Sequence, residues 1–334
     1  MEDSQQAEVL FFPVLADRVF LADFSCAENP QEGHHYFSTD EELGSHVYRP
    51  YRDLVGFGPM NLSQILQFIE ILESKLTEHQ NVKIVYCVDS SDSRKLTNAL
   101  LLLGCFLVMH NQDPPEDVWN HFRDFGPYLE LYRSSHSLSS GEDFFLTIGD
   151  CWLAIARSMN FGWISMYDLA EYMHYDNPLE GDMHWVIPDR LLVFRCPRQI
   201  PPGSTSTYVD EGTFRYFSPA FFTDIFQDLG ITTVVRLNAE QDDDGEYDFD
   251  EFEAMGIRCL SLEFAEDEHP PIHVVVEFLH TMERAEGAVA IHCRTGLVQA
   301  GTMAAILLMK AYGFPAREAI AWLRIVRPGS VVGD

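Results

Sequence analysis

One stretch constrains this chain more than any other: Val289-Ala290-Ile291-His292-Cys293-Arg294-Thr295-Gly296-Leu297-Val298-Gln299-Ala300-Gly301-Thr302. The apolar run Gly287 to Ile291 reads as a buried strand, followed by a short loop holding Cys293, Gly296 and Gly301. A helix is expected from about Thr302. A strand apolar on both faces needs layers on both sides, which points to an α/β architecture. A loop that ends at a helix N-terminus aims backbone N–H groups at its contents and suits an anion. That field, with His292 alongside, favours a cysteine thiolate and so a nucleophile. At the end of the loop, where a phosphate would be served by a cation, the residue is Gln299.

At 334 residues the chain is long enough for two cores of ordinary size. The 22 basic and 52 acidic residues give a net charge of −30. Such a balance disfavours nucleic acid and anionic membranes and favours basic partners, or serves solubility alone. The 7 cysteines are scattered without CxxC spacing, so neither a metal site nor a disulfide framework is expected, and a reducing compartment is. The first eight residues are polar and lack a signal-peptide core. No apolar run reaches the ~18 residues of a membrane span.

Periodicity orders the rest. Glu8 to Phe24 reads as a hairpin and His35 to Ser38 as a short strand. Asn61 to His79 repeats Leu62, Ile65, Leu66, Ile69, Leu72 and Leu76 at helical spacing, with Asn61 able to cap. Val82–Val88 reads as a strand, and Ser93–Met109, Pro114–Phe122 and Asp143–Met159 as helices. The segment 163–184 is an acidic, aromatic connector with a short helix. Its carboxylates are either solvated or line a groove that attracts a basic peptide. Strands follow at Trp185–Ile187 and Leu191–Phe194, then a helix at Ser218–Leu229, a strand at Ile231–Leu237 and an acidic loop at Gln241–Glu251. Beyond these come a strand at Ile257–Phe264, a helix at Ile272–Glu286, the 287–292 strand, and helices at about 302–313 and 315–326. The fold class is therefore α/β: two tandem units, each a mainly parallel sheet flanked by helices, divided as 1–162, a linker 163–184, and 185–334.

The strand Val82–Val88 also ends in a cysteine (Cys87), then a loop, Asp89-Ser90-Ser91-Asp92, then a helix. That repeats the plan of the Cys293 stretch. The loop has no glycine, and its aspartates would repel phosphate. It reads as a degenerate duplicate kept for structure.

The strand–HCxxGxxxxGT–helix pattern is fairly specific for a phosphate cradle with a cysteine nucleophile. With Asp17-Arg18, His35-Tyr36-Phe37-Ser38, Phe57-Gly58-Pro59-Met60-Asn61-Leu62, Glu171-Tyr172, Gly181-Asp182, Trp185-Val186-Ile187-Pro188, Val234-Val235-Arg236-Leu237-Asn238, Ala319-Ile320-Ala321-Trp322-Leu323-Arg324-Ile325 and Arg327-Pro328-Gly329-Ser330, the chain resembles the cell-division-cycle-fourteen (mitotic-exit) dual-specificity protein phosphatases, within the cysteine-dependent tyrosine phosphatase superfamily. The resemblance covers nearly the whole chain. It implies two phosphatase-like domains, of which only the second is catalytic, and no cofactor or metal. Implied substrates are phosphoproteins carrying phosphoserine-proline sites of cyclin-dependent kinases, with a basic residue nearby. Asp176 and Asp182 fall at acidic groove positions, and Met173 replaces a third carboxylate. Residence in the nucleus and cytoplasm, with the centrosome or spindle, is implied by the family alone; the oligomeric state is left open.

Three departures bear on turnover. The family signature is HC-x5-R, and Gln299 stands at the arginine. In place of the family's Phe-Ala-Asp, the chain has Phe264-Ala265-Glu266-Asp267, so Glu266 or Asp267 is the candidate acid. The family also continues, past the position of Asp334, with a glutamine that positions the releasing water and a further helix. Expected roles are Cys293 as nucleophile, and His292, Arg294, Thr295, Gly296, Leu297, Val298 and Gln299 around the phosphate. Two functions stay open: a phosphatase impaired by Gln299, or a pseudophosphatase that binds phosphoproteins or scaffolds partners.

Overall fold

The computed structural model describes residues 11–39, 43, 56–133, 144–200, 206–211, 214–238, 247–266 and 268–331. The chain divides into two compact units, with the break after Phe161.

The first unit contains β1 (Phe12–Leu15), β2 (Val19–Asp23), α1 (Ser25–Glu28), β3 (His34–Phe37), α2 (Leu62–Glu78), β4 (Lys83–Val88), α3 (Ser93–Met109), α4 (Pro115–Phe122) and α5 (Ile148–Asn160). Its sheet has the order β1-β2-β4-β3, with β1 antiparallel to β2 and the other pairs parallel. The β1–β2 hairpin turns at Ala16 to Arg18, as the sequence suggests. Asn61 caps α2 in a capping box with Gln64. α3 is buried on every side from Leu96 to Val108, which its unbroken apolar run requires. It packs on α5 so closely that a Cβ at Gly104 would lie 2.1 Å from the Trp152 ring. α5 begins at Ile148, later than the periodicity suggests, because Thr147 and Asp150 form a reciprocal cap there. The expected start at Asp143 lies outside the described residues.

The second unit contains α6 (Leu169–Asp176), β5 (Met183–Ile187), β6 (Leu191–Arg195), β7 (Tyr208–Glu211), β8 (Phe214–Phe217), α7 (Pro219–Asp228), β9 (Ile231–Arg236), α8 (Asp250–Ala254), β10 (Arg258–Ser261), α9 (Ile272–Arg284), β11 (Ala288–Cys293), α10 (Gln299–Ala311) and α11 (Ala316–Val326). The sheet order is β10-β9-β11-β6-β5; β5 is antiparallel and the rest are parallel. β11 is therefore the central strand, and all six of its residues are buried. Phe194, Phe222, Phe226, Phe252 and Ile231 form the core on one face. Side chains of this size, fully buried, each contribute ~1.5–3 kcal/mol to folding.

Two differences from the sequence reading matter for function. α10 starts at Gln299 rather than near Thr302, which makes Gln299 the first helical residue. β10 stops at Ser261, so Leu262 to Phe264 already belong to the loop that leads to Glu266. The β7–β8 hairpin has no distinct signal in the sequence. Residues 241–246 of the expected acidic loop lie outside the described residues, whereas the short helix expected beyond them is α8.

Candidate active site

Cys293 ends β11 with no exposed surface. Its carbonyl accepts the Gly296 N–H at 3.0 Å, closing a tight turn. Gly296 has φ +70°, and a Cβ there would lie 2.4 Å from the Phe194 carbonyl oxygen and 2.7 Å from Arg327 Nη2. Only glycine fits that left-handed, close-packed position. After the turn the chain enters α10, whose first residues cannot find intrahelical acceptors. The backbone N–H groups of Arg294, Thr295, Val298, Gln299 and Ala300 have no acceptor among the described residues. Open donors of this kind, in a loop that leads into a helix N-terminus just after Cys293, suit an anion.

The neighbours of the cysteine differ from expectation in one respect. Consecutive strand residues face opposite sides of a sheet, and His292 turns into the core, where it has no exposed surface. Burial, with Arg236 nearby, pushes its pKa down to about 3, so the ring is neutral. Its Nε2 lies 2.7 Å from the Tyr247 hydroxyl. His292 thus anchors the end of β11 and supplies no positive charge beside the thiol. Arg236 donates to the Tyr247 carbonyl at 2.5 Å and stacks on the Tyr247 and Phe249 rings.

Gln299 is 2% exposed. Its side-chain amide donates to the Leu237 carbonyl at 3.2 Å and to the Phe264 carbonyl at 2.5 Å. A carboxamide has two N–H donors, and both are occupied. Gln299 therefore ties the start of α10 to the end of β9 and to the head of the Glu266 loop. Glu266 itself is exposed, in a turn where the Glu268 N–H bonds the Ala265 carbonyl at 3.2 Å. Asp267 lies outside the described residues. Arg294 is exposed, while Thr295 and Val298 are half-buried and Leu297 is buried.

Behind the loop sits a cation that residue types alone did not single out. Arg327, at the end of α11, is 2% exposed and donates to the carbonyls of Gly296 (2.8 Å) and Thr295 (3.2 Å). It also pairs with Asp182 at 3.0 Å. The Val331 N–H bonds the Leu297 carbonyl at 3.1 Å, so the segment after α11 braces the loop as well.

Residues 13–158 match the family model of the N-terminal half of dual specificity protein phosphatases. Residues 216–333 match the dual specificity phosphatase catalytic domain. The dual specificity protein phosphatase CDC14C of Homo sapiens is 33% identical over 325 residues, spanning 96% of this chain and 68% of that protein. The chain belongs to the CDC14 family of dual specificity protein phosphatases. CDC14B of Mus musculus is 33% identical over 335 residues, spanning 98% of this chain and 64% of that protein. The CDC14 homolog of Schizosaccharomyces pombe is 30% identical over 308 residues, spanning 90% and 54%. The chain thus spans between about half and two thirds of the length of these relatives. Its two units are tandem domains of the dual specificity phosphatase type.

Within this family frame, the residues expected around the phosphate divide into groups. Cys293 and the 294–299 backbone come together at the carboxyl end of the central strand, where an open parallel sheet binds its ligands. Asp182, expected in a peptide groove, has a side chain 10% exposed and engaged by Arg327 and, at 3.9 Å, by Arg195. Asp176 is 31% exposed and lies 2.9 Å from His184 Nε2. Met173, at the third groove position, is 48% exposed. Sequence reasoning missed Arg327, His184 and Tyr247 as parts of the site. The Arg-Pro-Gly-Ser segment after the last helix was the available signal for Arg327; nothing local marks the other two.

Proposed function

We propose that this CDC14-family chain recognises phosphorylated proteins through the 293–299 loop and dephosphorylates them slowly. One observation carries the reading: the loop keeps open backbone donors around Cys293, while the side chain at the signature arginine position, Gln299, has both of its donors on backbone carbonyls. In the reaction, the Cys293 sulfur forms a bond to phosphorus as the phosphorus–oxygen ester bond breaks. Glu266 gives its proton to the leaving oxygen; water then attacks the phosphorus, the sulfur–phosphorus bond breaks, and phosphate and the Cys293 thiolate are released. Neutral amides alone face the charge spread over the three phosphoryl oxygens. An arginine would add a charged fork to two of them. Loss of one preorganised donor from such a site costs about 10²–10³ in rate, whereas ground-state phosphate binding depends more evenly on all the amides.

The favoured substrates are phosphoserine-proline sites, as in the family. Selection for a neighbouring basic residue is weak, because Asp182 is withdrawn and Met173 stands where a third carboxylate would be. The deciding measurement pairs aryl-phosphate turnover with phosphopeptide binding on wild type, Gln299→Arg and Cys293→Ser. Expected are a rise of about 10² in turnover for Gln299→Arg, no turnover for Cys293→Ser, and phosphopeptide binding by all three. Equal turnover by wild type and Gln299→Arg would overturn the role given to Gln299. Binding by none would remove the phosphoprotein reading altogether.

A further inference from the structure

Arg327 uses every donor it has. Nε donates to the Gly296 carbonyl at 2.8 Å. Nη1 donates to the Asp182 carbonyl at 3.2 Å and to His184 Nδ1 at 2.9 Å. Nη2 reaches the Thr295 carbonyl at 3.2 Å and Asp182 Oδ1 at 3.0 Å. A guanidinium has five N–H groups in a rigid fork and no acceptor, so this buried charge is satisfied in full.

Two of those five acceptors are peptide oxygens of the cradle itself. Drawn to the rear by Arg327, the Thr295 and Gly296 carbonyls present no negative end to an incoming oxyanion. Released, either peptide could rotate and point its oxygen at the phosphate. The fit is close enough that Gly296 leaves no room for a Cβ between the loop and Nη2.

The orientation of the guanidinium is fixed from further out. Since Arg327 can only donate, His184 Nδ1 is an acceptor, and the ring proton sits on Nε2. That proton points at Asp176 Oδ1, 2.9 Å away. His184 is buried, and the Asp176 side chain is 31% exposed. A continuous line therefore runs from a carboxylate at the surface, through a neutral imidazole and a buried guanidinium, to the two loop carbonyls.

We infer that Arg327 is the positioning residue of the oxyanion loop, and that His184 and Asp176 act on the loop through it. The inference rests on the reading of residues 293–299 as an oxyanion cradle. It gives Asp176 a task within the site: its carboxylate orients His184 and, through His184, the guanidinium.

The test measures tungstate affinity by calorimetry beside the melting temperature of each variant. His184→Phe removes the acceptor for Nη1 and should weaken tungstate at least about tenfold, the effect of losing one hydrogen bond to a charged group. His184→Asn places an amide oxygen near the Nδ1 position and should return affinity to within about threefold of wild type. Arg327→Lys, with three donors for five acceptors, should bind more weakly than His184→Phe. Trp322→Phe is the structural control: it loses a 2.9 Å bond to the Val186 carbonyl, and should lower the melting temperature with tungstate affinity unchanged. Equal tungstate affinity in wild type and His184→Phe overturns the inference and leaves the cradle standing. So does His184→Asn binding no better than His184→Phe, which would make the position a packing site. If wild type binds no tungstate, the cradle reading itself is wrong and the inference falls with it. Should Arg327→Lys fail to fold, the His184 pair decides alone.

Discussion

The chain contains the same local plan twice, and the two copies solve the problem of their open amides in opposite ways. In the first unit, β4 ends near Cys87, passes through Asp89-Ser90-Ser91-Asp92 and enters α3. There the chain supplies its own anions. Asp23, at the end of β2, accepts the Ser90 N–H at 3.1 Å and the Ser90 hydroxyl at 2.6 Å. Asp89 accepts the Ser91 N–H at 3.1 Å, and Asp92 accepts those of Arg94 and Lys95 at 2.9 and 3.3 Å. In the second unit, the corresponding loop has Thr295 and Val298 where the first has Asp89 and Asp92, and the N–H groups of Arg294, Thr295, Val298, Gln299 and Ala300 are left without acceptors among the described residues. An oxyanion site and a capped structural turn thus differ by who brings the negative charge. Cys87 belongs with the capped turn: burial, with Cys26 and Asp23 nearby, pushes its thiol up to about 12, which leaves it protonated and inert.

Substitutions that exchange these solutions should break the comparison, and the largest effect belongs to Gly296. Gly296→Ala puts a methyl 2.4 Å from the Phe194 carbonyl at a φ of +70°. Neither the strand nor Arg327 can give way, so a loss of about 2–4 kcal/mol is expected from overpacking and strain together. Oxyanion affinity should fall at least about tenfold in whatever protein still folds. Chemical denaturation and tungstate titration check both; a melting curve like that of wild type would remove the steric argument.

In the first loop the matching experiment takes away the internal anion. Burial alone would raise the Asp23 pKa, but the hydrogen bonds from Ser90 and Ser25 outweigh it and hold the carboxyl at about 2, below its ordinary 3.8. The sign follows: the ionised carboxylate stabilises the fold fully above pH 3.8, and that contribution fades as pH falls toward 2. Asp23→Asn should cost about 1–2 kcal/mol at neutral pH, the scale of a partly exposed charge-assisted hydrogen-bond set. The stability difference between wild type and variant should narrow on acidification. A difference that stays constant down to pH 2 would show that Asp23 acts through shape and not charge.

How much of this could be seen in the residues themselves depended on how local the cause was. The cradle could, because strand, glycine turn and helix lie within fifteen consecutive positions and each has its own signal. α3 and β11 could as well, since helices and strands buried on all sides need unbroken apolar runs. The start of α10 at Gln299 could not: its side chain is held by carbonyls of Leu237 and Phe264, far away in sequence, and that tie extends the helix by a turn. The partner of Asp182 was hidden for the same reason. The resemblance puts Asp182 among the acids of a groove, and nothing near it in sequence reveals Arg327, 145 positions away. The neutral state of His292 likewise follows from burial against Phe194 and Tyr247, which adjacency to Cys293 does not reveal.

The smallest expected effect sharpens the comparison most cheaply. Arg294 follows the nucleophile directly and is the nearest cation in sequence, so charge alone would nominate it as a replacement for the arginine that Gln299 displaces. Its side chain is exposed, however, and no ion pair or hydrogen bond holds it among the described residues. An exposed, untethered charge contributes ~0–1 kcal/mol to an interaction and is screened by salt. Arg294→Ala should therefore change tungstate affinity by less than about threefold, and less still at high ionic strength. Loss of binding tenfold or more that persists in high salt would mean that Arg294 folds over the phosphate when it binds. The second loop would then bring its positive charge from the position after the cysteine, and its backbone amides would no longer account for the anion alone.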